Sequence, residues 1–439
     1  MVEVLRPVKS PERLSPEKPF LVLAHAYQPH REPLLPSGGR LNVVSGINEE
    51  IYNQVYKPIF AEGDSLPRGI VFSFYPGLRD WLKNAHPQEF QRIVEKINAI
   101  PNKEYHVLGD PYIHLILPLQ PKEDQDMLIK IGKEAFKRDL GFEPKGIWLP
   151  EAAVSRTTLE VASDNGYEFV ALRDNQLRQS DVNPIRVNTR NGKGISVVHF
   201  NSGLSGSLSF DDGVSLNADS FLDNLSRLDS KTVVVGSDIE LYGHHKKNRD
   251  KFLNYLEKPG TLEKHGFVPF DVKKALEETD GQITDINEGS SWSCEHNLGR
   301  WTGECACDNA NERTRSDKGR FYQTLSEYGR ELNTRLDVLN SNWRTEFMEF
   351  FLKNRGVMFS SGEIPVIGDD DKLFWAKYSE FVGKTSCGWF FGGEGSPERE
   401  IPRVMIEEIE KLVPDIAEHT VFLFLLDKSS KTSIMITGM

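Results

Sequence analysis

A chain of 439 residues can bury a large core and allows about two or three domains. Its formal net charge of −12, with Lys and Arg scattered among acids, lacks the basic stripe that phosphate binding needs, which argues against nucleic acid and membrane surfaces as partners. Four cysteines are too few to staple so long a chain, so free thiols in a reducing compartment are expected.

Residues 1–18 are polar and Pro-rich, a loose leader without the apolar core of a secretory signal, and a cytoplasmic location is the default. An apolar run at 20–24 reads as the first strand and leads into the loop HAYQP. Similar strand signals follow at 69–74 (GIVFSF), 114–119 (HLILPL), 146–149 (GIWL), 168–172 (EFVAL), 195–200 (ISVVHF) and 231–236 (KTVVVG). Most are continuously apolar, as in strands covered on both faces. Between them PQEFQRIVEKINAI, KEDQDMLIKIGKEAFKRDL and SFLDNLSRLDS space apolar residues by three and four, and the second ends at Gly141, a natural helix C-cap. This alternation predicts an α/β fold with a parallel sheet closed or nearly closed into a barrel over 19–284, a doubly wound open sheet being the alternative.

Beyond about Gly281 the composition changes. SSWSCEHNLGRWTGECACDNANERTRSDKGR is loop-like, and the amphipathic stretch from Arg320 to Asn354 predicts one or two helices. Further helices are expected over 371–382 and in PRVMIEEIEKLV, giving a mainly helical domain over 285–439. The closing stretch is read as a last strand pair or an edge, and its run VFLFLL at 421–426 is too short to cross a bilayer.

Two segments carry paired acids after apolar runs. In GIWLPEAAV, Glu151 follows Pro150 and is expected to leave the strand in an extended conformation beside the face of Trp148; the plainer reading is a glutamate opening the helix AVSRTTLEVA. In VVVGSDIELYGHH, Asp238 and Glu240 share one face if the strand continues, and His244 lies just beyond; solvated strand-end acids are the plainer reading. His25 and Gln28 cluster after the first strand, His114 opens HLILPL, and Trp292 is either a sugar platform or a buried tryptophan between domains. Acids with imidazole, amide and aromatic groups suit glycosidic-bond chemistry. No phosphate-binding P-loop, serine-nucleophile elbow or H-E-x-x-H pair occurs, and the Gly-rich stretch at 392–397 lacks a dinucleotide-binding context. Cys294, Cys305 and Cys307 lie close together with His296 between the first two, but their spacing is not that of a zinc finger or ribbon, so neither metal nor cofactor is expected.

These residues resemble glycoside hydrolase family 57, a family of α-amylases, α-glucan branching enzymes and 4-α-glucanotransferases. HAYQP resembles its first motif, HxHQP, with Tyr27 in place of the second histidine, in the manner of a branch with an HFYQP-like variant. PYIHLILPL, GIWLPE and SDIELYGHH resemble the second, third and fourth regions, and SSWSCEHNLGRW and TSCGWFF (385–391) are similar to segments downstream of the barrel in that branch. The matches keep the family's order. The resemblance implies an incomplete (β/α)7 barrel followed by a helical domain, with Glu151 matching the nucleophile and Asp238 the acid/base, and with Glu240, His244, His25 and Gln28 lining or supporting the site.

The expected function is a retaining glycosidase or transglycosidase on an α-linked glucan or oligosaccharide. Two other classes are weighed against it: an inactive carbohydrate-binding protein, and a metal-dependent deacetylase or mannosidase on a related barrel that places His25, His114 or His244 with Asp238 on zinc. Oligomeric state is not encoded in any motif.

Overall fold

The computed structural model describes residues 17–29, 35–38, 46–62, 66, 69–256, 258–279, 281–355, 368–390 and 397–418. Nearly all of the leader, residues 392–396 of the Gly-rich stretch and the closing stretch with VFLFLL lie outside the described residues.

Ten strands are present among them: β1 (Lys18–Ala26), β2 (Ile70–Phe74), β3 (Val107–Leu108), β4 (Gly146–Trp148), β5 (Phe169–Arg173), β6 (Ile185–Val187), β7 (Ile195–Phe200), β8 (Val233–Asp238), β9 (Phe267–Pro269) and β10 (Ile283–Thr284). Seven of them run parallel in the order β8-β1-β2-β3-β4-β5-β7. Gly109, just past β3, joins the two halves by bridging Ile147 of β4. Closure between β7 and β8 is incomplete because antiparallel β6 occupies the free edge of β7, leaving Asn201 N–H donating to Val234 O (2.9 Å) across the seam. Helices cover the outside, among them Pro87–Asn98, Lys122–Leu140, Arg156–Asp164 and Ala218–Ser226. The fold is the incomplete (β/α)7 barrel that the sequence implied.

Strand periodicity explains the interior. Every second residue faces the barrel axis: Leu21 and Leu23 on β1, Val71 on β2, Leu108 on β3, Trp148 on β4, Phe169 and Ala171 on β5, Val198 and Phe200 on β7, and Val234 on β8 form one buried cluster, with Phe270 and Val272 after β9. The same period carries His25, Ser73, Arg173 and Asp238 to the C-terminal ends, where barrel sites lie. On β4 and β8, inward-facing glycines make room for neighbouring rings. A Cβ on Gly236 would come within 2.6 Å of the Phe200 ring, and one on Gly146 within 2.3 Å of Phe169.

One expected strand is absent: HLILPL packs as irregular chain, with a tight helical turn at Leu117–Leu119 and a bridge from Leu115 to Thr385. The third strand is instead the two-residue β3. Pro118 limits pairing, and the apolar side chains of this run are buried because the helical region covers them.

The predicted long amphipathic stretch divides into helices Glu312–Leu339 and Trp343–Asn354, broken at Asn340, and further helices span Asp369–Gly383 and Glu400–Leu412. Their apolar faces share one continuous core with the outer faces of β4 and β5, in which Phe347, Phe381 and Ile409 join Ile147 and Val170. No helix among the described residues is long and apolar enough to cross a membrane.

Candidate active site

At the C-terminal ends of the strands lies a cavity of about 650 Å³ lined by His25, Tyr27, Gln28, His114, Glu151, Asp238, Glu240, His244 and Trp292. The site thus brings together all but one of the residues that the sequence offered for catalysis or sugar binding. The exception is Trp148, which has no exposed surface and lies beneath the cavity, sandwiched between His25 (ring centroids 5.0 Å, 8°) and Phe200 (6.2 Å, 4°). It forms the floor of the site and has no surface to offer a sugar.

Glu151 is 8% exposed and does not take the extended backbone expected after Pro150: its φ is 58°, and that of Ala152 is 47°. Such left-handed conformations cost non-glycine residues on the order of 1–3 kcal/mol and need outside support. The SSW segment and Gln176, just past β5, supply it: Val154 N–H donates to Ser290 O (2.9 Å), Trp292 N–H to Glu151 O (3.1 Å) and Gln176 Nε2 to Ala152 O (2.8 Å). The next helix, Arg156–Asp164, is capped by Ser155, so Glu151 does not open it. Instead the carboxylate enters the cavity, where Oε2 accepts from Trp292 Nε1 (2.9 Å) and Ser293 Oγ (3.5 Å). Burial pushes this carboxyl above its usual range, and the Trp292 and Ser386 donors, the Arg300 charge and the Ser293 hydroxyl pull against it.

Asp238 ends β8 in register with His25 of β1. Among the described residues its carboxyl has no hydrogen-bond partner. Burial, then the charges of Glu240 and Glu151, push it well above the usual carboxylate range. Glu240 does not share its face, because the strand stops at Asp238 and a tight turn over Ile239–Leu241 rotates the chain. Its Oε1 accepts from the Tyr56 hydroxyl, Gln28 Nε2 (3.1 Å) and Tyr27 N–H (3.3 Å), so it ties the first motif to the fourth, and burial raises it to about 7.

His25 and His114 meet through their Nε2 atoms at 3.0 Å, so one of the two must donate. The outer nitrogens are held by Ser73 Oγ (2.5 Å, to His25 Nδ1) and Ser386 Oγ (2.8 Å, to His114 Nδ1). Burial lowers both rings, His114 to about 3, so both are neutral at physiological pH. Tyr27 stacks on His114 (3.9 Å, 23°), extending a column of rings through His25 and Trp148 to Phe200. His244 stands at the rim with Nδ1 on Gln54 Oε1 (3.0 Å), turned toward the outer helices.

Tyr56, Ser73, Arg173 and Ser386 were not singled out in the sequence. Tyr56 holds Glu240, and Arg173 Nη1 donates to Trp292 O (2.7 Å). Ser386 lies in TSCGWFF, which carried a resemblance but no residue-level role. Among the described residues, His25, His114, His244 and Asp238 do not gather into a group able to hold a metal.

Comparisons with known proteins agree with this fold. The 4-α-glucanotransferase of Thermococcus litoralis is 26% identical over 148 residues, 31% of this chain and 22% of that protein, so the chain spans about a fifth of the length of the curated relative it matches. Among solved structures, the exo-type maltose-forming amylase of Pyrococcus sp. ST04 superposes with a TM-score of 0.68 at 17% identity, covering 93% of this chain and 82% of the other. The branching enzyme of Pyrococcus horikoshii gives 0.60 at 14% identity, covering 91% and 90%. The model of glycosyl hydrolase family 57 matches residues 39–281, more than half of the chain and the stretch that contains Glu151 and Asp238, and the chain belongs to that family.

Proposed function

We propose that the chain is a retaining glycosidase or transglycosidase acting on α-linked glucans, with Glu151 as nucleophile and Asp238 as acid/base. The observation that carries this reading is the unequal setting of two carboxyl groups on one cavity. Glu151 accepts from Trp292 and Ser293, which favours its ionised form, whereas Asp238 has burial and two neighbouring acids keeping its proton on.

Glu151 attacks the anomeric carbon, forming a glycosyl ester, while Asp238 gives its proton to the departing glycosidic oxygen. Asp238, now a carboxylate, takes a proton from water or from a sugar hydroxyl, and that oxygen displaces Glu151. Glu240, Gln28 and Tyr56 hold the loop after β1 against the turn after β8 and so fix the position of Asp238. The relatives named as glucanotransferase, amylase and branching enzyme support α-glucan as the substrate class.

Incubation with maltooligosaccharides and soluble starch, followed by proton NMR of the first products, tests the reading. Retention of the α-anomer is expected, with longer products if sugar is the acceptor. A β-anomer as first product, or full activity in Glu151→Gln, overturns it; binding without turnover points to a carbohydrate-binding protein instead.

A further inference from the structure

We propose that Cys294, His296, Cys305 and Cys307 form a closed structural zinc site that pins the Trp292 segment onto Glu151. The ligand atoms of these four side chains all lie within 4.8 Å of one another. Cys294 Sγ is 3.6 Å from Cys305 Sγ and 3.8 Å from Cys307 Sγ, and His296 Nδ1 is 3.0 Å from Cys307 Sγ. Tetrahedral zinc with Zn–S of about 2.3 Å and Zn–N of about 2.0–2.1 Å places its ligand atoms roughly 3.5–3.8 Å apart. A disulfide would require about 2.05 Å, so the thiols are set at the spacing of ligands around a common centre. Three soft thiolates and an imidazole select zinc over hard cations. Four protein ligands leave no open position, which is the signature of a structural rather than a catalytic ion.

The C-x-H-x8-C-x-C spacing matches no finger or ribbon, and only the folded loop brings its two halves together. Asn297 and Leu298, both at positive φ, turn the chain. Glu304 and Cys305 N–H groups return to Gly299 O, and Arg300 Nη2 holds Cys307 O at 2.8 Å. On one side Cys294 N–H is fixed by Ser291 Oγ (2.9 Å), immediately beside Trp292 and Ser293, which both donate to Glu151. On the other side Asp308, next to Cys307, pairs with buried Lys318 of the helix Glu312–Leu339. The ion therefore couples the helical region to the segment that holds Glu151. The metal site stands independently of the catalytic assignment; only the consequence of the pinning for turnover rests on it.

The test is metal analysis of the full chain purified without chelators. About one zinc per chain is expected, released by a mercurial that caps thiols, and cobalt substitution should give the visible bands of a tetrahedral thiolate site. Cys305→Ser and Cys307→Ser should lose the metal, whereas His296→Cys, which keeps four ligands, should retain it. Hydrogen exchange on zinc removal should rise in residues 291–307 while the barrel strands stay protected. Folded wild-type protein without stoichiometric zinc, with all three thiols reacting freely or with Cys294 and Cys305 in a disulfide, overturns the site. Unchanged exchange after zinc removal overturns the pinning.

Discussion

The indole Nε1 of Trp292 donates to Oε2 of Glu151 at 2.9 Å, joining two side chains 141 residues apart in sequence. The same tryptophan fixes the main chain of Glu151 through its own N–H, so one residue orients both the backbone and the carboxylate of the proposed nucleophile.

Trp292→Phe keeps the ring and removes the donor. Loss of a hydrogen bond to a charged group costs about 1.5–3 kcal/mol, so kcat should fall roughly 10- to 100-fold. The acid limb of the pH–rate profile should move to higher pH, because a donor that lowers the Glu151 carboxyl is gone. Lower activity with an unmoved limb would mean that the tryptophan only packs.

The wild-type profile should be bell-shaped, rising as Glu151 ionises and falling as Asp238 loses its proton at a pH well above the usual carboxylate range. In Glu240→Gln a neighbouring negative charge is removed, so the basic limb should move to lower pH. Initial rates on one oligosaccharide from pH 4 to 10 measure both limbs.

Glu240 also links pH to stability. Its carboxyl is raised from 4.5 to about 7 by burial, so between those values the native state keeps a proton that the unfolded chain has lost. Stability from this group is full below the unfolded value and declines as pH rises toward 7, by roughly 3 kcal/mol in all. Glu240→Gln removes that decline. Thermal unfolding at pH 5 and pH 8 should therefore show wild type losing more stability than the variant on going to the higher pH.

Gly236→Ala should destabilise the barrel by about 1–3 kcal/mol, since the new methyl meets the Phe200 ring at 2.6 Å. Phe200→Leu should recover part of that cost, and a double-mutant cycle in urea reads the coupling. Additive effects would mean that the clash is relieved elsewhere.

Much of this site was legible in the sequence because strand periodicity and acid placement are local properties. The apolar runs of β1, β2, β4, β5, β7 and β8 announce buried strands, and Glu151 stands just past β4 while Asp238 ends β8. The third strand was not legible. Two residues carry no periodic signal, while HLILPL, apolar for packing under the helical region, imitates a strand.

Local pattern by itself determined the α/β class, since strand and helix periods repeat within a few residues, and the ordered motifs carried the resemblance that implied the barrel and pointed to Glu151 and Asp238. Tertiary structure alone decided what each acid faces. The turn after Asp238 separates it from Glu240, Trp148 sinks beneath the cavity, and Trp292 and Ser293 reach Glu151 from beyond the barrel. Whether a carboxyl keeps or loses its proton depends on burial and on neighbours distant in sequence, and only the folded chain brings those neighbours together.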